Sequence, residues 1–219
     1  MEIQNMLENI RVNTQSSIRI AAPAGIVYLD PLEICDAPHD ADFVLITHSH
    51  GDHFSPSDIR KIVGADTVLV VPQKMEKQAQ ELRDAIGSIV TVRPCQALTV
   101  KGLAIETVPA YNNLKPFHPQ SAGWVGYILI TDGLRIYAAG DTDATKDNRR
   151  VRCDIAMVPI GGTFTMNAKK AAELINEIRP SVAIPIHYGS IVGSAADAEM
   201  FAGLTDPEIR VERKLGNSV

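Results

Sequence analysis

Residues 47 to 54 read Thr-His-Ser-His-Gly-Asp-His-Phe. His48, His50, Asp52 and His53 place three imidazoles and a carboxylate within six positions, in a chain with only six histidines. Neutral imidazole and carboxylate are ligands that suit zinc, iron and manganese. Side-chain alternation in an extended segment sends His48 and His50 to the same side. Gly51 lets the backbone turn, so Asp52 and His53 face a second point nearby. Two pairs aimed at two points are what a pair of adjacent metal ions requires.

The position of the cluster supports its composition. It follows directly on the apolar run Phe43-Val44-Leu45-Ile46, where a buried strand emerges at its C-terminal end. Sites in α/β proteins commonly form there. The same order recurs three times: Ile26 to Leu29 leads to Asp30, Ile136 to Ala139 to Gly140-Asp141, and Val182 to Ile186 to His187. Taken singly, each reads as a turn, a cap or a hydrogen-bonded core histidine. Four strand ends in one chain argue for convergence on one site.

Other β-branched runs supply the frame: Thr67 to Val71, Ser88 to Val92, Leu98 to Val108, Gly123 to Thr131, Leu134 to Ala139, Asp154 to Ile160 and Glu208 to Glu212. They predict strands. Lys101-Gly102 and Asp132-Gly133 mark hairpin turns. Helices are expected from Ser55-Pro56 to Ile62, over Gln73 to Ile86, from Ala168 to Ile178 behind an Asn167 cap, and over Ser194 to Leu204. The pattern is a mixed α/β architecture with helices outside sheets. Without a linker or repeat, one domain over residues 1–219 is expected.

Bulk properties exclude other classes. Lys+Arg is 21 against Asp+Glu 26, a net charge of -5, so a general electrostatic grip on nucleic acid is not expected. No apolar run approaches the ~18 residues of a membrane span, and Met1 to Thr14 does not read as a signal peptide. Cys35, Cys95 and Cys153 are odd in number and free of any C-x-x-C, which fits a reducing cytoplasm. Cytoplasmic location and a small-molecule substrate are the expectations, with a homo-oligomer allowed.

His48-x-His50-x-Asp52-His53, then Gly140-Asp141, then His187 resembles the metallo-β-lactamase superfamily of metal-dependent hydrolases. The flanking Tyr28-Leu29-Asp30-Pro31, Gly140-Asp141-Thr142-Asp143, Pro159-Ile160-Gly161-Gly162-Thr163 and Pro185-Ile186-His187-Tyr188-Gly189 resemble its ascorbate-phosphate lactonase-like branch. The resemblance runs from about Ile18 to the C-terminus. It implies a four-layered αβ/βα sandwich with the site at one edge between the sheets. It implies that His48 and His50 hold a first metal, that Asp52, His53 and His187 hold a second, and that Asp141 bridges them. Asp30 would hold a ligand histidine or its loop by hydrogen bonding.

The chain departs from that pattern once. Asn112, in Val108-Pro109-Ala110-Tyr111-Asn112-Asn113, stands where the superfamily usually has another first-metal histidine. The next histidine is His118. Three readings stay open: His118 loops back and restores the ligand set, Asn112 is a weak ligand or substrate contact, or His118 is an acid or substrate-binding group beside one firmly held metal. One or two divalent ions are expected, zinc first, with manganese or iron as alternatives. Tyr188 is a candidate for the pocket wall, Asp143 for a cap, and Gly161-Gly162-Thr163 for an oxyanion cradle or a tight turn. The expected activity is hydrolysis of a small ester, lactone or phosphodiester by a metal-activated water, with Asp52 orienting that water or accepting its proton. The alternatives are a degenerate binding-only member and a di-iron oxidoreductase.

Overall fold

Two sheets form around apolar runs buried along their whole length, Phe43–Leu45 and Val68–Pro72 in one and Ile155–Pro159 and Val182–Ile186 in the other. The computed structural model describes residues 2–216; Met1 and residues 217–219, the ends of the expected 1–219 unit, lie outside it. The first sheet is ordered β1 (Ile10–Val12), β2 (Ile18–Ala22), β3 (Gly25–Leu29), β4 (Phe43–Leu45), β5 (Val68–Pro72) and β6 (Ser88–Val92). Its first three strands are antiparallel, and β3 to β6 run parallel. The second comprises β7 (Ala97–Val100), β8 (Leu103–Pro109), β9 (Val125–Thr131), β10 (Leu134–Ala138), β11 (Ile155–Pro159), β12 (Val182–Ile186) and β13 (Arg210–Val211), in the order 13-12-11-10-9-8-7. It is antiparallel from β7 to β10 and parallel from β10 to β13.

Parallel strands covered on both faces are continuously apolar, and period-2 alternation divides their side chains between layers. In β5, Val68 and Val70 enter the core between the sheets, whereas Leu69 and Val71 face outward under helices. In β11, Ile155 and Met157 point between the sheets, and Ala156 and Val158 point outward. The outer layers are α2 (Pro56–Ile62) on the first sheet and α4 (Ala168–Ile178) with α5 (Ala195–Leu204) on the second. The result is the expected αβ/βα sandwich. Ser55 caps α2 and Asn167 caps α4. Both hairpin turns have left-handed central residues, φ 43° and 86° at Lys101-Gly102 and 50° and 73° at Asp132-Gly133, as a two-residue turn demands.

The structure corrects one helix and adds elements at the N-terminus. Gln73 to Ile86 is not one helix: a 3-10 turn, α3 (Glu76–Ala79) and a second 3-10 turn follow one another. Met75, Ala79 and Leu82 still bury one face. No side chain caps any of the three pieces, so nothing offsets the cost of nucleating a continuous α-helix. The additions are α1 (Glu2–Glu8), β1 and β2, an N-terminal extension of the first sheet.

Candidate metal centre

Four parallel or central strands end at one edge of the sandwich and deliver the chemistry. Asp30 follows β3, His48 to His53 follow β4, Asp141 follows β10 and His187 follows β12. Asp30 and His187 take left-handed φ of 44° and 56°. Such a conformation is uncommon for a residue with a Cβ and persists where surrounding contacts over-determine it. Gly140 turns at φ +65°, and a Cβ there would lie 3.1 Å from Thr47 Cβ, so Asp141 enters through a gap only glycine leaves.

Asp30 organises the first corner. Its Oδ1 accepts the Thr47 N–H at 2.8 Å, and its Oδ2 accepts the Thr47 hydroxyl at 2.6 Å and His53 Nδ1–H at 2.7 Å. Because the Thr47 hydroxyl donates to Asp30, its oxygen is left to accept His48 Nδ1–H at 3.0 Å. These contacts hold Nδ1 of both histidines and turn Nε2 of each into the site.

Two groups of donor atoms result, joined by a third that overlaps both, His48 with His53 and Asp141. His48 Nε2 lies 3.1 Å from His50 Nδ1, and His118 completes this group within 4.8 Å. Asp52, His53 and His187 make the other, with His53 Nε2 and His187 Nε2 at 3.5 and 3.3 Å from Asp52 Oδ2. Asp141 stands between them. Its Oδ1 is 3.3 Å from both His53 Nε2 and His187 Nε2, and its Oδ2 is 3.3 Å from His118 Nε2 and 4.0 Å from His48 Nε2. With bonds near 2.0–2.1 Å, neighbouring ligand atoms of a tetrahedral ion sit roughly 3.3 Å apart. The spacing fits a metal ion in each group.

The electrostatics agree. Burial and neighbouring imidazoles push the pKa of His48 well below the ordinary value, and burial lowers that of His50. Burial also opposes charge on His53, but Asp141 and Asp30 outweigh it and hold that imidazolium well above the ordinary value. Burial opposes ionisation of Asp141 and Asp52 too; their histidine neighbours win and hold both carboxyls well below the usual range.

The second corner is a loop. His118, 1% exposed and at φ 56°, is carried back beside His48 and His50, the rings 5.0 and 4.9 Å apart. Asn112 anchors it. Its N–H donates to the His118 carbonyl at 2.8 Å, and its side-chain amide donates to the carbonyls of Phe117 at 3.0 Å and Phe164 at 2.7 Å. Lys115 bonds Asp143 Oδ1 at 2.9 Å and the carbonyls of Gly162 and Thr165.

Two open readings resolve to one side. Tyr188 packs in the core cluster under α4 and α5 and does not line the cavity over the donors. The N–H groups of Gly162 and Thr163 are spent within their own turn, on Met166 and Gly161 carbonyls, so the segment is a tight turn and not an oxyanion cradle. His39 is an exposed loop residue and the three cysteines are unpaired. Sequence reasoning missed Trp124, whose ring packs 4.9, 5.0 and 5.3 Å from those of His48, His50 and His118. It missed Lys115 and the apolar Phe117, Phe164 and Ile191 at the cavity. Their only sequence signal is proximity to ligand-type residues and, for Trp124, being the chain's one tryptophan.

Residues 9–187 match the beta-lactamase superfamily domain. A UPF0173 metal-dependent hydrolase of Thermococcus onnurineus is 35% identical over 179 residues, 78% of each chain. That of Methanopyrus kandleri is 33% identical over 171 residues, covering 74% of this chain and 73% of its own. Igni18, a metallo hydrolase from Ignicoccus hospitalis, shares the fold at TM-score 0.73 and 20% identity over 93% of both chains. Among the described residues, no helix is long and apolar enough to cross a membrane.

Proposed function

The chain belongs to the beta-lactamase superfamily and is a metal-dependent hydrolase; from that premise we propose that it holds two divalent ions, zinc before manganese or iron, and cleaves a small ester, lactone or phosphodiester with water. His48, His50 and His118 would hold one ion, Asp52, His53 and His187 the other, and Asp141, which faces both groups, would serve both.

One observation carries this reading. Nε2 of His53, His118 and His187 and Oδ1 of Asp141 are buried with no hydrogen-bond partner. Each such atom costs about 1–3 kcal/mol when left unsatisfied. Donor atoms converging at ligand spacing turn that cost into affinity for a cation that displaces their protons. Divalent ions bound there supply a water acidic enough to lose its proton near neutral pH, and positive charge where oxygen becomes negative.

The chain's own side chains do the rest. Asp30 and Thr47 hold Nδ1 of His53 and His48, so the donor atoms are set before any ion arrives. Asp52 turns Oδ2 to His53 and His187. Its Oδ1 is then the atom that orients a water by accepting a hydrogen bond. Asp52 is 22% exposed where the other carboxylates of the site are buried, so it alone of them faces both the site and the cavity.

The test is metal content by elemental analysis, with ester hydrolysis, on wild type, His118→Ala and His187→Ala. We expect about two ions per chain in the wild type, about one in each variant, and hydrolysis lost in both. One ion or fewer in the wild type, or unchanged content in both variants, overturns the two-ion assignment.

A further inference from the structure

The cavity over the donor atoms divides by chemistry. It has a volume of about 400 Å³ and is lined by His50, Asp52, His118 and Asp141 on its floor and by Phe117, Phe164 and Ile191 on its walls. Every polar side chain in that lining belongs to a donor group described above. The walls are apolar throughout. Phe117 meets Phe164 edge to face, centroids 4.9 Å apart and planes at 85°, an arrangement that aromatic pairs favour.

The walls are also exposed. Five large apolar side chains among the described residues stand in solvent, and two of them, Phe117 at 43% and Ile191 at 55%, line this cavity. Exposed apolar surface beside convergent polar groups is what small-molecule sites present. No Lys or Arg is among the described residues that line it. Lys115, the cation nearest His118 in the chain, is committed to Asp143 and to two carbonyls of the 162–165 turn. An anionic group away from the scissile bond therefore meets aromatic and aliphatic walls without a counter-charge, and burying it there is costly.

We propose that the substrate is an electrically neutral carboxylic ester or lactone whose acyl part carries a medium-length apolar chain, seated between Phe117, Phe164 and Ile191. This rests on the hydrolytic reading of the same site and narrows it, excluding substrates marked by a phosphate. The reaction forms one bond, from the water oxygen to the carbonyl carbon, and breaks the acyl C–O bond. One water proton goes to the leaving alkoxide and the other to solvent. The products are a carboxylate and an alcohol, or a hydroxy-carboxylate from a lactone. The apolar tail stays against the walls throughout.

The experiment uses the zinc-loaded protein with p-nitrophenyl acetate, butyrate, hexanoate and octanoate, with δ-decanolactone, and with 6-phosphogluconolactone. We expect kcat/KM to rise by about threefold per methylene, a little below the roughly fourfold of complete burial. Phe117→Ala and Ile191→Ala should each reduce the octanoate-to-acetate ratio several-fold. The phosphorylated lactone should be the poorer lactone. A flat chain-length series, or preference for the phosphorylated lactone, overturns the proposal. Binding of octanoate and of acetate, read from Trp124 fluorescence, separates the two readings. Octanoate bound at least tenfold tighter supports the apolar seat, and equal binding refutes it. A metal-loaded chain that turns over none of the probes refutes the ester and lactone reading of the site.

Discussion

The two corners of the site are built by different means. The corner around Asp30, Thr47 and His53 is made of residues at the ends of β3 and β4, joined by hydrogen bonds of 2.6 to 2.8 Å in a fully buried place. The corner around Asn112 and His118 is made of a loop folded back and pinned mainly to backbone carbonyls. In the first, sheet register sets the ligand. In the second, a side-chain amide sets it. A donor group can therefore be completed from outside the regular structure, provided one buried residue anchors the loop.

Asp141 faces both corners, so removing it tests whether they form one site. Asp141→Ala should release both ions and lower activity by about 10³-fold or more. Elemental analysis and turnover measure this. Loss of one ion only would mean that the corners bind independently.

Asp30→Asn should strike the strand-built corner next hardest. The amide nitrogen cannot accept, so at least one of the three hydrogen bonds is lost, and the neutral amide cannot balance the His53 imidazolium. Partners of this kind are worth about 10- to 100-fold in metal affinity. Competition with a chelator should show the loss mainly in the ion held by His53, whereas Asn112→Ala should weaken the ion held by His118 by about tenfold and leave the other. Equal losses at both ions in both variants would erase the distinction between the corners.

Proton linkage sharpens the same contrast. His53 in the metal-free protein has a raised pKa, because Asp141 and Asp30 face it. It contributes stability that is complete below the ordinary histidine value near 6.5 and is lost as pH rises through its raised value. His48 has a lowered pKa through burial. The metal-free fold is therefore penalised for protonating it as pH falls below about 6.5. An ion displaces the His53 proton and needs a neutral His48, so the gain in Tm on adding zinc should grow from pH 6 to pH 8. Calorimetry with and without zinc measures it. A gain that shrinks with pH would contradict the ligand set.

The division between the corners is also the division between what the sequence reveals and what it hides. Asp30, His48 to His53, Asp141 and His187 are legible because each follows an apolar run, and strand ends at one sheet edge are brought together by register. The sandwich is legible for the same reason, since the runs alternate with turn and cap signals. His118 is legible as a residue and not as a place. Its position depends on a left-handed φ and on amide bonds to Phe117 and Phe164, 52 positions apart from Asn112 in the second case. Periodicity carries no trace of such contacts. Gln73 to Ile86 fails differently: its apolar spacing is met by a broken helix as well as by a continuous one.

The smallest expected effect concerns Lys115. Its ammonium ties the loop of the second corner to Asp143, which also accepts the Asn113 N–H at 3.2 Å. The ion pair is partly open to water, with Lys115 24% exposed, and such pairs contribute about 1 kcal/mol or less. Asn112, by contrast, is buried and its loss leaves two carbonyls without a donor. Lys115→Met should thus lower Tm by about 2–4 °C for a chain of this size and weaken the His118-side ion by less than about threefold, an effect within the reach of one exposed pair. Chelator competition beside Asn112→Ala decides the order. If Lys115→Met matched or exceeded Asn112→Ala, the loop would be held by charge and would loosen with added salt; if the order holds, salt up to 1 M leaves the second corner intact, because an amide bonded to carbonyls carries no charge to screen.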